Sequence, residues 1–244
     1  MSAQIEHPPV EITILYDNNT YDPHLRTAWG FSALVEVGHS MILFDTGGDG
    51  AILMGNIANL DIDPASVDIV ILSHAHGDHI GGLDDFLTQA DQPEIYLLPS
   101  SFAKLKARLP NGANLIEVGP GQMLMDGVLT TGEMGNEIPE QSLMIKTSRG
   151  YVALTGCAHP GIIEIVERVK ELSGEQVYLL VGGFHLKDMG VAEIEGIIVE
   201  LQSLGVEKVA PTHCTGTEAI DLFESAYGDD FIRAGVGRKI RIDQ

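Results

Sequence analysis

The stretch Ser73-His74-Ala75-His76-Gly77-Asp78-His79-Ile80-Gly81-Gly82 decides how this chain is interpreted. It directly follows an apolar run over 67–72 that is typical of a buried strand, and it precedes a predicted helix over 82–89. Tight turns favour Asn, Gly, Asp and Ser for backbone reasons, and histidine offers no such advantage. Imidazole and carboxylate groups are the usual ligands of zinc and related metals. The stretch therefore predicts a metal site at the C-terminal end of a strand.

The spacing within this stretch favours two metals over one. His74 and His76 are two residues apart, so in an extended backbone both side chains point to the same side. Asp78 and His79 are offset into the turn, where they can face a second position. Two metals at roughly 3.5–4 Å can share a hydroxide and polarise a substrate oxygen at the same time.

Composition limits the class of protein. The chain has 244 residues and a formal net charge of −21, which argues against nucleic acid or an anionic membrane as a partner. No basic segment followed by an apolar stretch begins the chain, and no apolar run approaches the ~20 residues that span a bilayer. We therefore expect a cytoplasmic protein that acts on a small molecule. No repeat or linker divides the sequence, which predicts a single domain over 1–244.

Residues of the ligand type recur where predicted strands end. The N-terminal part is rich in predicted hairpins, and from Ile162 onward predicted helices alternate with short strands. Two mixed sheets packed face to face, with helices on their outer faces, accommodate this order. Strand ends at one edge of such sheets can converge on one cleft. Six of the nine histidines lie at these ends: His74, His76, His79, His159, His185 and His213.

At this point the sequence resembles the metallo-β-lactamase superfamily. The resemblance depends on H-A-H-G-D-H at 74–79, preceded by F-D-T-G at 44–47. Further motifs resemble the subgroup named for 7,8-dihydropterin-6-ylmethyl-4-(β-D-ribofuranosyl)aminobenzene-5'-phosphate synthase. These motifs are L-Y-D-N-N (15–19), W-G-F-S (29–32), T-G-C-A-H-P-G-I (155–162), G-G-F-H-L (182–186) and P-T-H-C-T-G (211–216). The resemblance implies an α/β fold, a four-layer αβ/βα sandwich with metals at the edge between the sheets.

The resemblance also assigns ligands. It implies that His74 and His76 bind the first metal and that Asp78 and His79 bind the second. It matches the last histidine ligand to His213 and makes His159 the best candidate for the remaining one. Asp45 is implied to orient a ligand histidine through the other nitrogen of its ring. The expected cofactors are two divalent ions, with zinc preferred over manganese or iron.

Five residues are assigned less uniquely. Many members of the superfamily have a bridging aspartate where this chain has Cys157, which is either a thiolate ligand or a buried apolar residue. His185 is interpreted as a catalytic or substrate contact in preference to a metal ligand. Asp17 and Asn18 either line the cleft mouth and bind substrate or form a simple turn. Cys214, directly after His213, is expected to point away from the cleft in extended backbone.

The function expected from these residues is metal-dependent hydrolysis. A metal-bound water loses a proton near neutral pH and attacks an ester-type centre, such as a phosphoester, with Asp78 orienting it and His185 donating to the leaving group. The alternative is a pterin-related synthase or transferase, as the subgroup name suggests, although aromatic residues make up only 6% of the chain. A redox di-iron protein is disfavoured, because relatives of that kind usually carry a carboxylate where this chain has His76.

Overall fold

Two mixed β-sheets form the centre of the protein. The computed structural model describes residues 8–242. Residues 1–7 lie outside this range, and part of the expectation about a leader segment depends on them.

Sheet one contains β1 (Val10–Tyr16), β2 (Ser32–Val37), β3 (Ser40–Phe44), β4 (Ile69–Ile71), β5 (Glu94–Leu97), β6 (Asn114–Glu117) and β13 (Lys239–Ile242), in the order β13-β1-β2-β3-β4-β5-β6. Sheet two contains β7 (Met123–Met125), β8 (Val128–Thr130), β9 (Leu143–Thr147), β10 (Gly150–Thr155), β11 (Val177–Gly183) and β12 (Lys208–Thr212), in the order β12-β11-β10-β9-β8-β7.

Helices cover the outer face of each sheet. The helices of the N-terminal half are α1 (Gly50–Asn59), α2 (Gly77–Ile80), α3 (Leu83–Leu87) and α4 (Pro99–Arg108). Those of the C-terminal half are α5 (Ile162–Ser173), α6 (Val191–Ser203) and α7 (Thr217–Tyr227). One apolar cluster lies between the two sheets, and two further clusters join each sheet to its own helices. The four-layer αβ/βα sandwich predicted from the sequence is confirmed.

Parallel strands bring the ligand-bearing loops to one edge. Strands β3 to β6 run parallel in sheet one, and β10, β11 and β12 run parallel in sheet two. The C-terminal ends of neighbouring parallel strands lie at the same edge of a sheet, where α/β folds place their sites. The loops that carry Asp45, His74, His159, His185 and His213 therefore begin close together.

The helix predicted over 82–89 is present as α3, and a short helix that the sequence did not predict precedes it. Helix begins at Gly77, so Asp78 and His79 lie in the short helix α2, and α3 follows as a separate segment. The two glycines explain the break, because they pack against the turn at 46–48: the N–H of Gly81 donates to the carbonyl of Gly47 at 2.8 Å. A Cβ at Gly82 would lie 2.3 Å from the carbonyl oxygen of Thr46, so only glycine permits this approach.

The described residues contain no helix that is both long enough and apolar enough to cross a membrane.

Candidate metal centre

The first group of candidate ligands combines His74 and His76 from the loop after β4 with His159 from the loop after β10. Nε2 of His74 lies 3.0 Å from Nδ1 of His76, and the rings of both lie about 5 Å from the His159 ring. One donor atom from each of the three side chains lies within 4.8 Å of the others. Nε2 of His159 is buried and has no hydrogen-bond partner among the described residues. A buried nitrogen without a partner is costly unless an ion or water satisfies it, so this group fits a metal ion.

The second group combines Asp78 and His79 from α2 with His213 from the end of β12. Oδ2 of Asp78 lies 3.8 Å from Nε2 of His79 and 3.5 Å from Nε2 of His213. Nε2 of His213 is also buried and unpaired within the described part of the chain. Two imidazoles and a carboxylate with donor atoms within 4.8 Å form a second three-donor group.

Each of three candidate ligand histidines is held by a neighbour through its other ring nitrogen. Nδ1 of His74 lies 2.8 Å from the hydroxyl of Ser73, and Nδ1 of His79 lies 2.7 Å from Oδ2 of Asp45. Nδ1 of His213 lies 2.9 Å from Oδ1 of Asn18. Partners of this kind fix the orientation and tautomer of metal-binding histidines and leave the Nε2 lone pair for the ion. The described residues therefore fit a pair of metal ions in their donor types and in the support that His74, His79 and His213 receive.

The electrostatics of the two groups differ. Burial, with the neighbouring imidazoles, holds the pKa of His74 far below its usual value and lowers that of His159 to about 4. Both rings are therefore neutral near neutral pH, as metal binding requires. Burial would also lower the pKa of His79, but the charge and hydrogen bond of Asp45 outweigh it and raise that pKa. Burial likewise opposes ionisation of Asp78, but His213 and His79 hold its pKa below the usual range.

Asp17 and Asn18, predicted either to bind substrate at the cleft mouth or to form a simple turn, contact the end of β12. Asp17 is fully buried, and its carboxylate accepts hydrogen bonds from the Asn19 N–H at 2.6 Å and from the Thr212 hydroxyl at 2.6 Å. The Asn18 amide bonds both to the ring of His213 and to its carbonyl oxygen. Both residues thus hold the end of β12 in place. The sequence does not reveal this role, because it does not show that β1 and β12 end side by side.

Cys157, His185 and Cys214 lie together beside the two groups. Sγ of Cys157 is 3.2 Å from Nε2 of His79, so the thiol lies where it could also serve as a ligand with His74 and His79. His185 is exposed, and its ring lies 4.4 Å from that of His159. Cys214, interpreted from the sequence as structural and pointing away from the side that His213 uses, is buried, and its Sγ lies within 4.8 Å of donors from Cys157 and His185. His213 has a φ of 52° and starts a short 3₁₀ turn, so the backbone there is not extended.

Sequence reasoning missed Glu140, which organises the turn that carries Cys157 and His159. Its carboxylate is buried and accepts hydrogen bonds from four consecutive backbone N–H groups. The donors are Gly156 (3.1 Å), Cys157 (2.9 Å), Ala158 (2.9 Å) and His159 (2.9 Å). Such a series of N–H groups forms a concave anion-binding site, here filled by a side chain of the same protein.

Gln141, the next residue, holds the loop after β4 in sheet one by hydrogen bonds. Its N–H donates to the carbonyl of Ser73 at 2.9 Å, and its side-chain amide donates to the carbonyl of Leu72 at 2.8 Å. Glu140 and Gln141 therefore connect the loop after β4 with the turn after β10. This pair, which we call the Glu140–Gln141 clamp, sets the distance between the two halves of the candidate metal centre.

A cleft opens next to the first group. A cavity of about 440 Å³ is lined by His159 and His185, by apolar residues that include Phe184 and Met189, and by the exposed glutamates of α5 and α6. A second cavity of about 430 Å³ lies on the other side of the same two histidines, against residues 135–138. A small molecule in either cavity would lie against both His159 and His185.

Trp29 gives an optical test of the second group. It is the chain's single tryptophan, it is 48% exposed, and its ring lies 4.9 Å from that of His213. We expect Co²⁺ added to the metal-free protein to quench its emission, because the ion would bind one side chain away. Trp29→Phe should remove the signal, and His213→Ala should remove the response. Unchanged emission while a competing chelator reports bound metal would contradict the placement of an ion at His213.

Comparison with known proteins agrees with the fold. A model of the metallo-beta-lactamase superfamily matches residues 30–164. The 7,8-dihydropterin-6-methyl-4-(beta-D-ribofuranosyl)-aminobenzene-5'-phosphate synthase of Methanocaldococcus jannaschii is 30% identical, over 94% of this chain and 95% of its own. The crystal structure of Tm1679, a metal-dependent hydrolase of the beta-lactamase superfamily, superposes with a TM-score of 0.78 at 25% identity, over 96% of this chain and 100% of that one. A diphosphatase from the PhnP family shares the fold with a TM-score of 0.64 at 15% identity, over 97% and 98% of the two chains.

Proposed function

The chain belongs to the metallo-β-lactamase superfamily, and on that basis we propose that it is a metal-dependent hydrolase of an ester-type small molecule, with two divalent ions and zinc as the preferred metal. One observation carries this proposal. Two groups of three donors lie side by side, and in each group a buried Nε2 has no hydrogen-bond partner among residues 8–242. Divalent ions held there would activate water and polarise a substrate oxygen.

The roles of the chain's own residues follow from their positions. His74, His76 and His159 would hold one ion, and Asp78, His79 and His213 the other. Asp78 supplies the carboxylate of the second group and is partly exposed, so it is the residue placed to orient a water molecule at the cleft. Asp45, Ser73 and Asn18 keep the imidazoles in one orientation.

A phosphoester is the substrate class that we propose first. The protein carries a formal net charge of −21, so an anionic substrate needs local positive charge, which divalent ions at the centre would supply. Lys187 adds a cation near the second group, with its Nζ 4.7 Å from the centre of the Trp29 ring. The diphosphatase of the PhnP family has the same fold at 15% identity, a likeness that bears on fold alone.

A synthase related to pterin chemistry is the second candidate. The observation that favours it is the 30% identity to the Methanocaldococcus jannaschii synthase over 94% of this chain. The two candidates differ in what the purified protein should carry or convert. A bound dihydropterin or ribofuranosylaminobenzene phosphate, detected by mass spectrometry of the denatured protein, would favour the synthase.

Hydrolysis is tested with metal-free protein reconstituted with zinc or manganese. We expect reconstitution to restore cleavage of a generic phosphodiester, lactone or thioester, and His76→Ala to lose both bound metal and cleavage. His39→Ala, at an exposed turn after β2, is the matched control and should retain both. Loss of bound metal in His76→Ala with unchanged hydrolysis would contradict the proposed function.

A further inference from the structure

Three further donors converge next to the two ligand groups. Cys157, His185 and Cys214 follow β10, β11 and β12, which are adjacent parallel strands. One donor atom from each lies within 4.8 Å of the others. His185 and Cys214 belong to neither of the groups assigned to the two ions, so two donors of this cluster are not used to hold those ions.

The position of the Cys214 sulfur depends on a glycine in the neighbouring strand. A Cβ on Gly183 would lie 2.6 Å from Sγ of Cys214, closer than side-chain atoms approach, so only glycine leaves room for this sulfur. His185 itself has a φ of 57°, a left-handed conformation that turns the chain directly after β11. Strained conformations of non-glycine residues tend to persist where a site needs them. Both cysteines are buried thiols and are not joined in a disulfide.

We propose that Cys157, His185 and Cys214 bind a further zinc-class ion, separate from the two ions of the hydrolytic centre. Two thiolates and one imidazole form a soft donor set that favours Zn²⁺, Cd²⁺ or Cu⁺ over magnesium or calcium. Tetrahedral zinc, with Zn–S near 2.3 Å and Zn–N near 2.0–2.1 Å, needs donors roughly 3.4–3.8 Å apart. Donors within 4.8 Å of one another reach that spacing with small side-chain rotations.

Three ligands leave the fourth position of a tetrahedral ion open. Closed four-ligand sites are structural, whereas three protein ligands with an open position are typical of catalytic zinc. His185 is exposed and lines the cavities on both sides of His159, so the open position would face the cleft. This assignment makes His185 a metal ligand instead of the leaving-group donor predicted from the sequence. Binding would displace the protons of the two thiols, which become thiolates.

The site is tested by cadmium titration of the reduced, metal-free protein. Thiolate-to-cadmium charge transfer absorbs in the ultraviolet, and a competing chelator counts the bound ions. We expect Cys214→Ser to bind about one equivalent less than the wild type and to lose the charge-transfer absorbance of that ion, because the ion that both thiolates hold is no longer bound. His185→Asn should lose the same equivalent. His24→Ala, an exposed histidine, is the matched control and should bind as the wild type does.

The outcomes separate this proposal from the proposed hydrolysis. Equal numbers of bound ions and equal affinities in the wild type, Cys214→Ser and His185→Asn would overturn the further site while leaving the two-ion centre intact. Absence of all metal binding in the wild type would instead overturn both. Cys214 is buried and its replacement can unsettle the core, whereas His185 is exposed, so His185→Asn decides the question if Cys214→Ser melts at a lower temperature. If Cys157 and Cys214 form a disulfide, and the protein still shows no thiolate-to-cadmium absorbance after that disulfide is reduced, the site is also overturned.

Discussion

Replacing Glu140 with alanine should destabilise the metal-free protein by about 3–5 kcal/mol, because the change leaves four buried N–H groups without an acceptor. Each unpaired buried group costs about 1–3 kcal/mol, and the costs are not additive because the freed turn can relax. The same relaxation should move His159 and weaken metal binding by the first group. Urea unfolding followed by far-ultraviolet circular dichroism measures the first effect, and chelator competition measures the second.

Two variants make the Glu140 prediction specific. Glu140→Gln keeps one oxygen for the N–H groups that donate to Oε1, but its amide nitrogen cannot accept from the His159 N–H. We therefore expect a loss of stability between those of the wild type and Glu140→Ala. Glu137→Ala removes an exposed carboxylate of the same segment and should change stability by less than about 0.5 kcal/mol. If Glu140→Ala unfolds at the same urea concentration as Glu137→Ala, the carboxylate does not hold the turn.

The sequence predicts the half of the site that depends on local spacing. His74, His76, Asp78 and His79 lie within six residues after an apolar run, so the spacing and the strand together indicate a ligand loop. The alternation of strands and helices predicts parallel strands, and parallel strands place His159, His185 and His213 at one edge. Chemistry encoded in neighbouring residues can therefore be inferred before the fold is known.

The remaining half depends on residues that are far apart in the chain. Asn18 and His213 are 195 positions apart, and no local pattern indicates that they bond to each other. Glu140 is a single acidic residue whose acceptor role appears only when the turn at 156–159 folds around it. The backbone conformation is equally hidden: the left-handed φ of His213 places Cys214 on the side that an extended strand would exclude. Long-range pairing and local strain are tertiary properties, so one sequence alone does not reveal them.

Replacing Asp45 with asparagine should lower metal affinity at the second group about 10- to 100-fold, the usual effect of losing such a partner. Asp45 is fully buried, accepts from the Ser73 N–H and hydroxyl, and lies 2.7 Å from Nδ1 of His79. As a carboxylate it can only accept, so it holds the His79 proton on Nδ1 and leaves the lone pair of Nε2 free. An asparagine whose oxygen accepts from the Ser73 N–H places its amide N–H₂ at the Oδ2 position, where it faces the Ser73 hydroxyl and Nδ1 of His79. That arrangement favours the tautomer with the proton on Nε2, which blocks the ligand atom while the shape of the side chain hardly changes.

The tautomer effect predicts which signals change in Asp45→Asn. Zinc affinity of the second group, followed by chelator competition and by Trp29 emission beside His213, should fall, whereas His74, His76 and His159 should still bind an ion. Asp49→Asn is the matched control, because Asp49 caps α1 through the Ile52 N–H and asparagine caps a helix equally well. A general loss of packing would lower both affinities together with the urea midpoint. If metal affinity falls at the second group alone and the urea midpoint does not change, the cause is the control of the His79 proton by Asp45.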